Sequence, residues 1–193
     1  NNHIGVPLTL LSFDNETELG IVEMGANHKK EIEFLCQLAK PDYGYITNFG
    51  KAHLEGFGGV KGVIEGKSEM YNYLSENIKL AFINLDDPIQ VEKSKKMKSY
   101  SFGVNKEEAD VNINSVTANP FVEISFSNLS VKTHLIGLYN ANNINAALTI
   151  GKYFGVDDLA IKEALEGYVP ENNRSQLLSK GPNQIILDAY NAN

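Results

Sequence analysis

Short apolar runs alternate with amphipathic stretches through the first half of this 193-residue chain. The runs at residues 20–24, 43–47 and 80–84 have the length and apolar content of buried strands. Between them, residues 29–39 and 60–74 carry apolar side chains at helical spacing. Strands that alternate with helices need crossover connections, and these favour parallel pairing. The first half therefore predicts an α/β fold with a parallel sheet.

In the middle of the chain, the residue pattern is typical of β-strands instead of helices. Residues 111–117, 121–126 and 131–136 are rich in β-branched and aromatic side chains. Asn119-Pro120 and Ser127-Asn128 are turn signals between these runs. The pattern predicts an antiparallel meander attached to the parallel sheet.

Helical spacing returns at residues 140–153 and 157–167, and Asp157 is placed to cap the second helix. Residues 185–188 predict a late strand. No internal repeat and no low-complexity linker interrupts the sequence, so we expect one α/β domain with a β insert over residues 1–193.

Composition excludes several classes of protein. Seventeen Lys and Arg against 24 Asp and Glu give a net charge of −7, which argues against nucleic acid as the main partner. The basic cluster at residues 93–98 has no interleaved aromatic side chains and predicts a solvated helix end. No apolar run approaches the ~20 residues of a membrane span. Cys36 is the single cysteine, which precludes an internal disulfide and indicates a reducing cytoplasm.

Residues 62–68 resemble a phosphate-binding P-loop, G-x-x-x-x-G-K-[ST], but the match is one residue short. Lys61 stands where the first glycine is required, and Glu65 would place a carboxylate against phosphate. The spacing matters because the backbone N–H groups of such a loop must converge on the anion. We interpret this segment as a helix that carries Lys67.

Two side chains follow predicted strands at the edge where α/β sheets bind ligands. Glu23 ends the first strand, where a carboxylate can hold Mg²⁺ beside phosphates. His53 follows the second strand in a glycine-rich loop. From position alone, Glu23 is equally well explained as an exposed strand end, and a lone histidine is more often structural.

Several short segments of the chain form a recognisable set. They are residues 2–11, 23–26, 47–48, 52–58, 67–69, 137–143, 174–176 and 187–193. Their order resembles that of the Mur ligase family from end to end. The strings A-H-L-E-G-F-G and D-A-Y-N-A-N are most similar to the branch of that family that adds D-alanyl-D-alanine.

This resemblance implies that residues 1–193 are the central ATP-binding domain of a three-domain enzyme. The implied fold is a mostly parallel P-loop-type sheet flanked by helices, with a small antiparallel β-sheet insert. The implied reaction is ATP-dependent amide bond formation between UDP-N-acetylmuramoyl-tripeptide and D-alanyl-D-alanine through an acyl phosphate, in cytoplasmic peptidoglycan synthesis. The family's P-loop, UDP-sugar domain and C-terminal domain would lie outside this chain, so we expect residues 1–193 alone to be inactive.

The resemblance also assigns metal ligands. Glu23 would hold Mg²⁺ between the β- and γ-phosphates of ATP, and His53 a second Mg²⁺ near the acyl phosphate. Lys67 lies where the family has a carbamylated lysine, which converts an ammonium donor into an anionic oxygen ligand. Unmodified, Lys67 would be a point charge facing phosphate or a lysine on the helix surface.

Four further residues would bind the nucleotide in this family. Asn140 and Asn143 would contact the adenine, whose edge offers both donors and acceptors to a side-chain amide. Arg174 would reach the γ-phosphate and Asp188 the ribose or phosphates. Without the resemblance, the asparagines would be a helix cap, Arg174 a loop salt bridge and Asp188 a strand-end cap.

Two positions depart from the family pattern. Tyr139 stands where a histidine is common, which alters stacking near the adenine. Asn173 stands where a glycine usually precedes the arginine, which indicates a different loop conformation. Two other functions stay open from sequence: a different amide ligase of the superfamily, such as folylpolyglutamate synthetase, or a non-catalytic nucleotide-binding module.

Overall fold

The computed structural model describes residues 1–50, 53–171 and 176–187. Two compact units divide the chain. The first contains residues 1–83 and 88–99, and the second contains residues 84–87 and the described residues from 100 onwards. Each unit is built around its own set of buried apolar side chains.

The first unit contains helices that pack beside parallel strands. Its elements are α1 (Gly5–Leu11), α2 (Glu31–Ala39), β1 (Tyr43–Tyr45), α3 (Leu54–Phe57), α4 (Val60–Glu76), β2 (Leu80–Asn84) and α5 (Pro88–Ser94). Strands β1 and β2 pair in parallel, with Gly44 opposite Ala81. All five residues of β2 are buried, as expected for a strand covered on both faces.

Helix α4 packs closely against its neighbours because three glycines leave room for them. A Cβ on Gly44 of β1 would lie 2.7 Å from Leu74 Cδ1 of α4. A Cβ on Gly62 would lie 1.8 Å from the carbonyl oxygen of Phe57, and one on Gly66 would lie 2.4 Å from the Phe57 ring. The buried Phe57 therefore fixes α3 on α4, and α3 begins directly after His53.

The predicted strand at residues 20–24 is wrong. These residues have no strand or helix assignment, and Ile21 is 81% exposed. A strand forms only where its N–H and C=O groups bond to a neighbouring strand. Within the described part of the chain, residues 20–24 belong to no ladder. Glu23 thus lies on a segment without regular secondary structure and not at the end of a sheet strand.

The second unit combines a parallel strand pair with an antiparallel meander. Its elements are β3 (Lys98–Val104), β4 (Val111–Ala118), β5 (Phe121–Phe126), β6 (Leu129–Ile136), a 3₁₀ turn (Leu138–Asn140), α6 (Ala141–Tyr153), α7 (Asp158–Gly167), β7 (Gln176–Lys180) and β8 (Asn183–Leu187). Strands β3 and β4 are parallel, whereas β4, β5 and β6 pair antiparallel in sequence order. Strands β7 and β8 form a separate antiparallel pair.

Alternation of side chains places the core of the second unit. On β5, Val122, Ile124 and Phe126 are buried and the residues between them are less so. Helix α6 buries Ile144 and Leu148, four residues apart on one face.

The predicted α/β class is confirmed, with parallel strands flanked by helices and a small antiparallel addition. The segment at residues 62–68 lies wholly within α4, so its interpretation as a helix is also confirmed. The basic cluster closes α5 and leads into β3, and its lysines are exposed.

Five of the described elements have no counterpart in the sequence predictions: α1, α3, α5, β3 and β7. Helix α1 carries Pro7 in its first turn and exposes Leu8 and Leu11, so its apolar spacing does not mark a buried face. Among the described residues, no helix has the length and apolar content needed to cross a bilayer.

Candidate functional site

Glu23 is exposed and lies next to the first residue of the chain. The side-chain amide of Asn1 donates a 3.3 Å hydrogen bond to Glu23 Oε1. The backbone N–H of Gly25 donates to the carbonyl oxygen of Asn1 at 2.6 Å. Met24, between them, places its sulfur 3.9 Å from Cys36 Sγ on α2. The segment that carries Glu23 is therefore held from both sides.

The turn that follows Glu23 is fixed by a carboxylate of α2. Glu31 Oε2 accepts hydrogen bonds from the backbone N–H groups of Asn27 at 2.6 Å and His28 at 3.1 Å. The bond from Asn27 is the main cause that lowers the pKa of Glu31. These two N–H groups precede α2 and have no partner within it, so the Glu31 carboxylate satisfies them.

His53 lies beside that turn, in one open cavity. The cavity has a volume of about 680 Å³ and is lined by residues 27–28 and 53–56. His53 is exposed and has a left-handed backbone, with φ of 57°. This conformation is uncommon for a non-glycine residue and is concentrated at functional sites.

Lys67 is half-buried on α4 and points at the loop after β1. Its Nζ donates to the carbonyl oxygen of Asn48 at 2.7 Å and lies 3.4 Å from Asn48 Oδ1. Asn48 Oδ1 also accepts from the N–H of Gly50 at 2.9 Å. Burial lowers the pKa of Lys67, and in the described structure no carboxylate pairs with it. Lys67 is therefore closer to losing its proton than an exposed lysine.

The candidate side chains of the first unit suit a metal ion that is coordinated mostly by substrate oxygens and water. In the part of the chain that the structure describes, no three His, Cys, Asp or Glu side chains gather as a metal cage. Mg²⁺ in phosphate-transferring sites needs only one or two protein carboxylates beside substrate oxygens and waters. Glu23 and a carbamate on Lys67 would supply such oxygens, whereas His53 offers a nitrogen.

The structure brings the predicted metal-binding residues to neighbouring segments without direct contact. Glu23 leads into the turn that shares a cavity with His53. Lys67 bonds to Asn48, in the loop that leads towards His53. Among the described residues, Glu23, His53 and Lys67 make no hydrogen bond with one another.

The two asparagines predicted to bind adenine lie in the second unit, and each makes a side-chain hydrogen bond there. Asn140 Nδ2 donates to the carbonyl oxygen of Ile136 at 2.9 Å, and Asn143 Nδ2 lies 3.3 Å from Asn140 Oδ1. Asn140 is the N-cap residue of α6, but its side chain makes no capping bond. The cap interpretation is thus wrong for Asn140. Beside it, a Cβ on Gly137 would lie 2.5 Å from the Tyr139 ring, so glycine lets this aromatic ring pack on the backbone.

Arg174 and Asp188 lie outside the described residues, as does Asn173. Their assignments to the γ-phosphate and to the ribose or phosphates stay predictions.

Sequence reasoning gave no role to the residues that surround the candidate ligands. The carbonyl oxygen of Asn48 accepts a hydrogen bond from Lys67. Asn27, His28 and Glu55 line the cavity beside His53. The only local signal was composition: Asn27 and His28 follow Glu23 within five positions in a glycine-containing turn.

Comparison with known proteins agrees with this fold. The chain belongs to the Mur ligase family, because the Mur ligase middle domain profile matches residues 1–151.

Relatives named for one activity of that family match the chain over its whole length. It is 33% identical over 193 residues to the UDP-N-acetylmuramoyl-tripeptide–D-alanyl-D-alanine ligase of Bacillus subtilis. A crystal structure of MurF from Acinetobacter baumannii matches all of the chain with a TM-score of 0.87 and 30% identity, over 44% of its own length. MurF from Thermotoga maritima, solved in complex with ADP, matches all of the chain with a TM-score of 0.80 and 28% identity, over 45% of its own length. The chain spans 42% of the B. subtilis relative.

Proposed function

We propose that the protein containing this chain joins D-alanyl-D-alanine to UDP-N-acetylmuramoyl-tripeptide with ATP, in the cytoplasm, during peptidoglycan synthesis. The observation that carries the proposal is the match of all 193 residues to relatives named for this activity. Residues 1–193 would be the central ATP-binding domain, and the remaining parts of both substrate sites would come from other domains. On this proposal the chain alone is inactive.

The chemistry requires two anions to meet. The tripeptide carboxylate attacks the γ-phosphorus of ATP, ADP leaves, and an acyl phosphate forms. The amine of D-alanyl-D-alanine then attacks the acyl carbon, and the tetrahedral intermediate expels phosphate. Mg²⁺, when bound, neutralises the phosphate charge that would repel the incoming carboxylate. Glu23 is proposed to hold one Mg²⁺ and His53 a second, because both side chains are exposed. His53 lines the open cavity, and Glu23 lies on the segment that leads to residues 27–28 of its wall.

Lys67 is proposed to act as a carbamate. A neutral lysine amine adds CO₂ to give an N-carboxylate and releases one proton. Burial favours this reaction because it lowers the pKa of Lys67 and so raises the fraction of neutral amine. The 2.7 Å bond to Asn48 holds the amine at a defined position on α4. The product carries oxygen ligands in place of a cation, which suits a site for Mg²⁺.

Nucleotide recognition is proposed for the asparagine pair of the second unit. The bond to Asn140 uses Asn143 Nδ2, so Asn143 Oδ1 would accept from the adenine amino group, and the exposed position of Asn143 allows access. Arg174 is proposed to bind the γ-phosphate and Asp188 the ribose or phosphates.

A substrate-dependence assay on the full-length protein tests this function. Phosphate release should require ATP, UDP-N-acetylmuramoyl-tripeptide and D-alanyl-D-alanine together, and residues 1–193 alone should release none. Release that depends instead on a folate and glutamate would assign the protein to the other branch of amide ligases. Absence of release with either pair, together with ATP binding, would support a non-catalytic nucleotide-binding module.

A further inference from the structure

We propose that Glu69 is a positioning residue that fixes the segment carrying Glu23 against the helix that carries Lys67. This inference rests on the proposed function, in which both of those residues serve the magnesium site. Glu69 lies on α4, two residues after Lys67, and is only 8% exposed. A carboxylate this deeply buried is costly unless it is fully hydrogen-bonded.

The partners of Glu69 are backbone groups of another helix. Oε1 accepts from the N–H of Lys30 at 2.6 Å, and Oε2 accepts from the N–H of Glu33 at 3.1 Å. Lys30 is the N-cap residue of α2, has φ of 73° and supplies no capping bond of its own. A lysine side chain has no acceptor, so the cap of α2 comes from α4.

The first turn of α2 transmits this constraint to the site. Glu31 lies in that turn and holds the N–H groups of Asn27 and His28, which line the cavity beside His53. One turn later, Cys36 contacts Met24, the neighbour of Glu23. A shift of the start of α2 would therefore move both the cavity wall and the predicted metal ligand.

A second carboxylate on α4 provides a matched comparison. Glu65 lies one turn before Glu69 and pairs with Lys29 Nζ at 2.5 Å. Both partners of this pair are more than two-fifths exposed, and the bond involves a flexible side chain rather than the backbone. Exposed pairs of this kind contribute little, so Glu65 should not fix the start of α2.

The experiment compares Glu69→Ala, Glu69→Gln and Glu65→Ala in the full-length protein. We expect Glu69→Ala to raise the Mg²⁺ concentration for half-maximal ligation about tenfold, as loss of support behind a metal ligand commonly does. The KM for D-alanyl-D-alanine should not change. Glu69→Gln keeps one acceptor oxygen and should give an intermediate value, whereas Glu65→Ala should match the wild type.

Two further readouts do not depend on turnover. Amide hydrogen exchange at residues 30–33 should accelerate in Glu69→Ala and not in Glu65→Ala. Binding of Mn²⁺ with a non-hydrolysable ATP analogue should weaken in the same order as ligation. A Glu69→Ala protein that unfolds more easily but keeps wild-type Mg²⁺ dependence and Mn²⁺ binding would overturn the positioning role. If the wild type does not ligate these substrates, the proposed function fails, and exchange together with Mn²⁺ binding still decides the role of Glu69.

Discussion

The ammonium nitrogen of Lys67 lies 2.7 Å from the carbonyl oxygen of Asn48, half-buried and without a carboxylate partner in the described structure. The two residues are 19 positions apart and connect α4 to the loop after β1. A lysine in this setting is held in place while its charge is poorly compensated. This relationship makes Lys67 the most directly testable residue of the site.

We predict that Lys67 forms a carbamate in the full-length protein. Because burial lowers the pKa of Lys67, its neutral amine is populated at lower pH than that of an exposed lysine. Lys67 should therefore form a carbamate at lower pH than the exposed lysines of the protein. Equilibration with ¹³C-bicarbonate should give a carbamate NMR signal in the wild type and none in Lys67→Ala. The same variant should ligate its substrates about 100-fold more slowly than the wild type. Lys61→Ala, at an exposed position of the same helix, should keep both signal and rate. A signal that survives in Lys67→Ala would disprove the assignment.

Glu23→Gln should abolish most ligation without loss of stability. Its carboxylate is exposed and its described partner is one long bond from Asn1, so little folding free energy depends on it. Loss of the carboxylate that would hold Mg²⁺ beside the transferring phosphoryl group should lower kcat about 100-fold. Phosphate release at saturating Mg²⁺ measures this effect, and Glu18→Gln, an exposed acid on the same segment, is the control. Equal rates for the two variants would exclude Glu23 as a metal ligand.

Substitutions of Asn140 and Asn143 should have different effects on ATP binding and on stability. Asn143→Ala should weaken ATP binding about tenfold, the value of roughly one hydrogen bond, with no change in unfolding. Asn140→Ala should also lower the free energy of unfolding by about 1 kcal/mol, because it removes the bond to Ile136. Calorimetric titration and urea unfolding distinguish these effects. Asn142→Ala, the exposed neighbour, should bind ATP like the wild type, and equal weakening there would contradict a specific contact.

The second unit should lose stability in acid because Asp158 becomes protonated and loses its ion pair with Lys152. The ammonium of Lys152, at 2.6 Å, lowers the pKa of Asp158 by hydrogen bonding. A carboxyl group whose pKa is lower in the folded state stabilises the protein at pH values above its unfolded pKa of about 3.9. This contribution to the free energy of unfolding is lost as the pH falls through the folded-state pKa. Asp158→Asn should therefore cost ~0.5 kcal/mol at neutral pH and nothing near pH ~2. Urea unfolding at both pH values tests this difference.

A control on the same helix makes the acid prediction specific. Glu163 is exposed on α7, and Glu163→Gln should keep the wild-type dependence on pH. If Asp158→Asn retains the full loss of stability in acid, another group is responsible.

The spacing of apolar residues in the sequence predicted the helices that bury one face and the strands that are buried on both faces. Strand β2 is buried at every position and α4 has buried residues at helical spacing, so local pattern and tertiary contacts agree there. Residues 20–24 show the limit of this reasoning. Their composition is that of a strand, but strand formation depends on a partner that local sequence cannot reveal. Helix α1 escapes prediction for the opposite reason, since it buries Val6 but exposes Leu8 and Leu11, and no apolar face marks it in the sequence.

The site was predictable only in part. The positions of Glu23 and His53 after predicted strands single them out, whereas the roles proposed for them and for Lys67 come from family resemblance. The contact between Lys67 and Asn48 joins residues 19 positions apart, and that between Glu69 and Lys30 joins residues 39 positions apart. Such contacts depend on helix packing, and no local pattern encodes them.

Gly56 sets the width of the cavity beside His53. A Cβ at this position would lie 2.2 Å from the carbonyl oxygen of Asn27 and 3.2 Å from His28 Nε2. The first distance is far below any real carbon–oxygen contact, so an alanine there would force the two walls apart. The absence of a side chain at Gly56 therefore allows residues 27–28 and 53–56 to approach as closely as they do, and an alanine there would change the dimensions of the cavity.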